Sequence, residues 1–360
     1  MISKESFEAS WIEQKSKEFQ YNDKNIIEKV IRAFSLLEML VQSGCPFHFK
    51  GGSCLMLLLK NGHHRLSIDI DIICPPGTDI EQYLNAYKDY GFIDYKSVER
   101  VQRGTGIPKT HSKFFYQVAF LDDCNRQESI LLDVLNEDCH YEKLEELPIE
   151  SPFLKIEGTP SLVKVPSIGD ILGDKLTAFA PNTTGIPYFK KTKDGLERDC
   201  SMEIIKQLYD VARLFEEIDS LEITAKSFEP IAEVELSYRE MPNDPKLIFE
   251  DIRQTSLCLA TRGIEGNGNF AMLQQGVSRI KSFMFRGNYF IDNAIADAAK
   301  AAYVATLLEK GQTAIERYDG NPLSISNLDI ELVLTSKLNK LKRISPEAYF
   351  YWAKISQLLS

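Results

Sequence analysis

The stretch Ser67-Ile-Asp-Ile-Asp-Ile72 spaces two carboxylates two residues apart. On an extended strand successive side chains alternate between faces, so Asp69 and Asp71 share one face roughly 7 Å apart along the strand. Ile68, Ile70 and Ile72 take the other face, which is predicted to be buried. Two adjacent carboxylates both stay ionised comfortably only with a cation between them. Hard oxygen donors of this kind suit Mg²⁺, which keeps its waters and is shared with substrate phosphates. Gly51-Gly52-Ser53 precedes the pair in the chain. A turn of this composition lets backbone N–H groups approach a phosphate closely.

A third carboxylate lies in Glu128-Ser-Ile-Leu-Leu-Asp-Val-Leu135. Ile130, Leu132 and Val134 form one apolar face, and the other face reads Leu131, Asp133, Leu135. An acid among apolar neighbours needs a partner. A metal shared with Asp69 and Asp71 is one such partner, and two bridged ions would clamp an in-line phosphoryl displacement. Exposure of Asp133 on an edge strand is the alternative. In Ser167-Ile-Gly-Asp-Ile-Leu-Gly-Asp-Lys-Leu-Thr-Ala-Phe179, Ser167 and Asp170 have capping-box spacing. Ile168, Ile171, Leu172, Leu176 and Phe179 fall in one helical arc, with Lys175 inside it. A lysine there either snorkels or meets an anion, for which a triphosphate in a cleft between domains would serve. On the helix Ser201–Phe215, Lys206 and Asp210 are expected opposite the core arc of Ile204, Ile205, Leu208, Val211, Ala212 and Phe215. Such an i,i+4 pair is ordinarily a weak surface ion pair.

The elements that must position these groups follow from periodicity. Residues 5–44 read as helical, with an apolar stripe at Ile26, Ile27, Val30, Phe34, Leu37 and Val41 and a stop at Gly44. Phe47–Lys50 reads as a strand entering the glycine turn, and Leu55–Lys60 as a helix ended by Asn61-Gly62. The Asp-x-Asp strand is broken by Pro75-Pro76-Gly77. Residues 79–90 suggest a helix, and 92–102, 114–120 and 130–135 suggest strands. Mixed elements over 46–165 define an α/β or α+β unit. Beyond Pro166 the pattern is mostly helical, with loops at 181–199, 240–246, 262–269 and 318–326. The expected organisation is a helical arm over 1–45, a catalytic core over 46–165 and a helical domain over 166–360.

A chain of 360 residues, 44% hydrophobic, is soluble-globular in composition and long enough for two or three domains. It contains no apolar run long enough for a membrane span, and its first residues are not a secretory signal. Cysteines at 45, 54, 74, 124, 139, 200 and 258 follow no pairing rule and read as reduced thiols of a cytoplasmic protein. No Cys-x-x-Cys pair or histidine spacing suggests zinc. A net charge of −10 argues against broad nucleic-acid binding. Local basic clusters remain, at Lys190, Lys191, Lys193 and Arg198, and at Lys337, Lys340, Lys342 and Arg343.

Taken in order, Gly-Gly-Ser with RLSIDID, then GDKLTAF, then KQLYDVARLF resembles the AbiEii/AbiGii toxin family. These are the nucleotidyltransferase halves of type IV toxin–antitoxin and abortive-infection systems, related to the MenT toxins and to the DNA polymerase β-like superfamily. The resemblance covers roughly residues 45–215. It implies an α+β fold with a nucleotidyltransferase-like mixed sheet, and Mg²⁺-dependent transfer of a nucleoside monophosphate from an NTP. The implied acceptor is RNA, above all a tRNA 3′ end, and the implied partner is a cognate antitoxin. A protein or small-molecule acceptor, or a silent partner-binding module, are the alternatives. Gly51, Gly52 and Ser53 match the phosphate-cradling turn, and Arg65 and Ser67 flank the acids. Asp69 and Asp71 match the metal-binding acids, with Asp133 a third ligand from the wider fold. Lys175 matches a nucleotide-contacting lysine and Asp210 the last acid of the third motif. Gln207 stands where that motif usually has Asp.

Overall fold

The computed structural model describes residues 1–59, 64–101, 108–120, 126–192, 195–331 and 335–360. The chain divides into two units, one of residues 1–167 with 282–287, the other of 168–281 with 288–360. The expected end of a helix at Asn61-Gly62, and Cys124 and Lys193, lie outside the described residues.

The first unit is a five-stranded mixed sheet with helices, the fold class expected from the motifs. Its strands are β1 (His48–Lys50), β2 (Ile70–Cys74), β3 (Asp94–Val101), β4 (Pro108–Gln117) and β5 (Gln127–Asn136), in the order β1-β2-β5-β4-β3. Only β2 and β5 run parallel; the other neighbours are antiparallel. Alternation holds on β5, where Ile130, Leu132 and Val134 are buried. The helices α1 (Ala9–Phe19) and α2 (Lys24–Gln42) are separated by Gln20, which takes a left-handed conformation, and by the cap Asp23, whose carboxylate accepts from the Ile26 N–H. They therefore form two helices, in the same unit as the sheet rather than in an arm of their own. α2 packs against β2 and β5 and is buried around most of its circumference, including the ion pair of Glu28 and Arg32.

Two local expectations change. Residues 79–90 form two 3₁₀ turns, Ile80–Tyr83 and Tyr87–Tyr90, instead of an α-helix. Ile80 and Leu84 are buried there, but the turn Tyr87–Tyr90 buries nothing, so no continuous apolar stripe exists to dock a helix. A ribbon of β6 (Leu144–Pro148) and β7 (Leu162–Pro166) was not anticipated; β7 lies against β1. The segment 282–287 returns to this unit. Leu66 N–H donates to the Phe283 carbonyl, Phe285 N–H donates to the His64 carbonyl, and Tyr21 Oη donates to the Ser282 carbonyl.

The second unit is helical, as expected, apart from a hairpin of β8 (Phe189–Lys191) and β9 (Glu197–Asp199). Its helices are α4 (Ile168–Ala178), α5 (Ser201–Glu217), α6 (Glu222–Ser237), α7 (Lys246–Ala260), α8 (Phe270–Ile280), α9 (Ile291–Glu309) and a last long helix, Pro346–Leu359. The alanine-rich α9 is buried on nearly every side between Ala294 and Leu307 and touches α5, α7, α8 and the last helix. Small side chains let its neighbours approach from several directions at once.

Candidate active site

The helix α3 (Gly51–Leu58) begins on the glycines themselves, one residue after β1. Gly51 has φ +80°, and a Cβ built on it would lie 2.1 Å from Asp71 Oδ2. The carboxylate thus occupies the space a side chain would need, and the backbone angle independently favours glycine. A Cβ on Gly52 would lie 2.8 Å from both Arg65 Nη2 and Ser67 Oγ. Ser53, buried, donates its hydroxyl to the Asp69 carbonyl at 2.6 Å. Arg65 is buried and donates to the Leu66 carbonyl at 3.1 Å. The start of α3 and the segment 65–71 are therefore packed against each other residue by residue. The N-cap residue, Lys50, makes no side-chain cap. Backbone N–H groups at the first turn of such a helix point outward and favour an anion.

Strand register brings the charged groups into line. Lys50 on β1 stands opposite Asp71 on β2, Asp71 opposite Asp133 on β5, and Asp133 opposite His111 on β4. Neighbouring strands lie about 4.8 Å apart, and laterally paired residues project from the same face. One row thus crosses four strands as lysine, aspartate, aspartate, histidine, every member half-buried. His111 Nδ1 and Asp133 Oδ1 are 2.5 Å apart. Asp69 precedes β2 by one residue and is exposed, whereas Ile70 and Ile72 are buried and Ile68 is only half-buried. Among the described residues no three His, Cys, Asp or Glu side chains are set together closely enough to hold a metal. The expected convergence of Asp69, Asp71 and Asp133 is thus a register-aligned pair, Asp71 and Asp133, with Asp69 beside it in the chain. His111 was not anticipated. The only signal for it is a histidine within the polar run Lys109-Thr-His-Ser-Lys113.

In the second unit, Lys175 on α4 meets Asp210 on α5, Nζ to Oδ2 3.0 Å, and donates to Gln207 Oε1 at 2.9 Å. The side chains are 6% and 0% exposed. Lys175 therefore does not snorkel, and its ammonium has a resident carboxylate. The arc around it is as expected: Ile171, Leu172, Leu176 and Phe179 are fully buried, although Ile168 is half-buried. The expectation that Lys206 and Asp210 share an outward face is wrong for Asp210. α5 is covered on several sides, by α4, α8 and α9, so its polar side also packs. Of the basic residues, Lys190 and Lys191 are exposed on β8, and Arg198 pairs with Glu203. Lys342 donates to the carbonyls of Ser326 and Leu328.

Comparison with known proteins places this geometry. The family model described as the nucleotidyl transferase AbiEii toxin of type IV TA systems matches residues 35–275. No curated protein matches the chain. Among solved structures it is similar to JHP933 from Helicobacter pylori, at 13% identity over 86% of this chain and 94% of that one, TM-score 0.38. It is also similar to MenT4, a nucleotidyltransferase toxin from Mycobacterium tuberculosis H37Rv, at 12% identity over 84% and 89%, TM-score 0.41.

Proposed function

Because the chain belongs to the AbiEii nucleotidyl transferase toxin family of type IV toxin–antitoxin systems, we propose that it transfers a nucleoside monophosphate from an NTP to an RNA 3′ end, that of tRNA, with Mg²⁺ as cofactor. The observation that carries this reading is the row of Asp71 and Asp133 across β2 and β5, with Gly51 seated against Asp71. The start of α3 supplies backbone donors for phosphate beside carboxylates for a cation. That juxtaposition is what phosphoryl transfer needs from a protein: positioning and charge stabilisation, with little covalent chemistry of its own.

The donor set fits Mg²⁺, which takes one or two protein carboxylates and completes its shell with water and phosphate oxygens. Asp69, Asp71 and Asp133 would hold the ion, and when bound it would neutralise charge on the phosphates. The acceptor hydroxyl attacks the α-phosphorus, the bond to the β-phosphate oxygen breaks, and pyrophosphate leaves. Asp133, oriented by His111, accepts the proton of that hydroxyl. Arg65 and Ser67 brace the glycine turn. By the family motifs Lys175 and Asp210 also serve the reaction, and Gln207, departing from the usual Asp, contributes an uncharged acceptor to Lys175. The family implies a cognate antitoxin as protein partner. Among the described residues no helix is long and apolar enough to cross a membrane.

The test is incubation with Mg²⁺, total tRNA and each labelled NTP in turn. The reading expects label at a tRNA 3′ end, lost in Asp71→Asn. Label on protein or a small molecule would keep the enzyme class and replace the acceptor. Label that persists in Asp71→Asn would overturn the site.

A further inference from the structure

Cys45 and Cys74 are a dithiol that the transfer reaction does not use. The β1–β2 ladder runs from His48 opposite Ile73 to Lys50 opposite Asp71. Cys74 ends β2 and Cys45 lies three residues before β1, so both sit at the end of the ladder away from Asp71. Their sulfurs are hydrogen-bonded to each other. Cys74 is 0% exposed and Cys45 9%. Cys45 lines a cavity of about 310 Å³ together with Pro46, Phe47, His48, Glu146 and Lys164. His48 Nδ1 at that cavity is buried with no hydrogen-bond partner. A small polar molecule entering there finds an unsatisfied imidazole nitrogen beside a thiol.

We propose that Cys45 and Cys74 are a modification site, closed to a reversible disulfide by a small peroxide admitted through this cavity. The step balances as a two-electron oxidation. The Cys74 sulfur attacks one oxygen of hydrogen peroxide, the O–O bond breaks, and the hydroxide released takes the thiol proton and leaves as water. The Cys45 sulfur then attacks the Cys74 sulfenic acid, the S–S bond forms, the S–O bond breaks, and a second water leaves. The order of attack follows the hydrogen bond. Donation from Cys45 pulls the Cys74 thiol below its ordinary range, and Cys45, bonded to Cys74 and buried, is held well above it. The product ties β1 to β2 covalently.

Titration of the full chain with hydrogen peroxide, followed by peptide mapping, tests this without any assay of nucleotide transfer. The expected result is one Cys45–Cys74 linkage, loss of two free thiols and two hydrogens in mass, reversal by dithiothreitol, and a raised unfolding temperature. In Cys45→Ser, dimedone should label Cys74 as its sulfenic acid; in Cys74→Ser, Cys45 should stay a thiol. Oxidation confined to the exposed Cys139, any other pairing, or survival of both thiols in the parent protein overturns the proposal. The mapping of the parent decides the matter even if a variant folds poorly.

Discussion

Replacing Lys175 by methionine should destabilise the second unit strongly, although periodicity alone suggests that a methionine stem would pack in its place. The reason is Asp210. Its side chain is 0% exposed and its carboxylate lies 3.0 Å from the Lys175 ammonium. Methionine fills the volume and leaves the carboxylate buried without its counter-charge; removing one partner of a buried pair costs about 3–5 kcal/mol. For a folding unit of roughly 150–250 residues each kcal/mol moves Tm by about 2–4 °C, so the expected drop is roughly 6–20 °C. Asp210→Asn should also destabilise, because it strands the ammonium. The double variant Lys175→Met/Asp210→Asn should lose less than the two single losses added, since neither charge remains. Thermal and urea unfolding followed by far-UV circular dichroism measure all four corners of the cycle. A Lys175→Met protein within about 2 °C of the parent, or strictly additive losses, would refute the reasoning. Transfer assays on Lys175→Met are then meaningful only well below its own Tm.

Gly51→Ala should cost about 1–3 kcal/mol from its backbone angle alone and displace the Asp71 carboxylate, so both urea midpoint and transfer should fall. Gly52→Ala meets only side-chain atoms, chiefly the movable ends of Arg65 and Ser67, and should be milder in the same two measurements. Asp69→Asn or Asp71→Asn should abolish labelled-nucleotide transfer with Tm unchanged or slightly raised, because one of two repelling charges is gone; full activity in both would remove the cation site. Burial, and then the charge of Lys164, depress the His48 pKa below its ordinary 6.5. The folded state therefore binds fewer protons there than the unfolded one. The associated stability is complete above about pH 6.5 and is lost as pH falls through the folded value. His48→Gln should flatten the decline of Tm between neutral pH and pH 5, and an identical decline would reject His48 as its source.

The residues that carry the site were legible where chemistry and periodicity coincide. Asp69 and Asp71 stand out because Ile70 and Ile72 alternate with them, and Asp133 because Ile130, Leu132 and Val134 enforce the same alternation. Register was not legible. That Asp71 pairs laterally with Asp133, and Asp133 with His111, depends on which strands become neighbours in the sheet, and strand pattern is indifferent to that choice. Helical periodicity likewise located the apolar arc of α5 but treated the rest of its surface as solvated. Where a helix is packed from several sides, the polar residues of a second face are buried too, and Asp210 is one of them. The start of α3 on Gly51 was hidden because glycine is a poor helix residue; a close contact with Asp71 selects it there, against propensity.

The return of residues 282–287 to the first unit has a consequence for the order in which the protein can be made. Nascent chains fold largely from the N-terminus as they emerge. Here the backbone groups of His64 and Leu66, a few residues before Asp69, take their partners from Phe283 and Phe285. Those partners are translated only after the whole stretch 168–281. A ribosome-bound chain therefore carries the acids, the glycine turn and the sheet long before it carries the strap that fixes the segment between them, and a message cut short of that strap yields the acids without their brace.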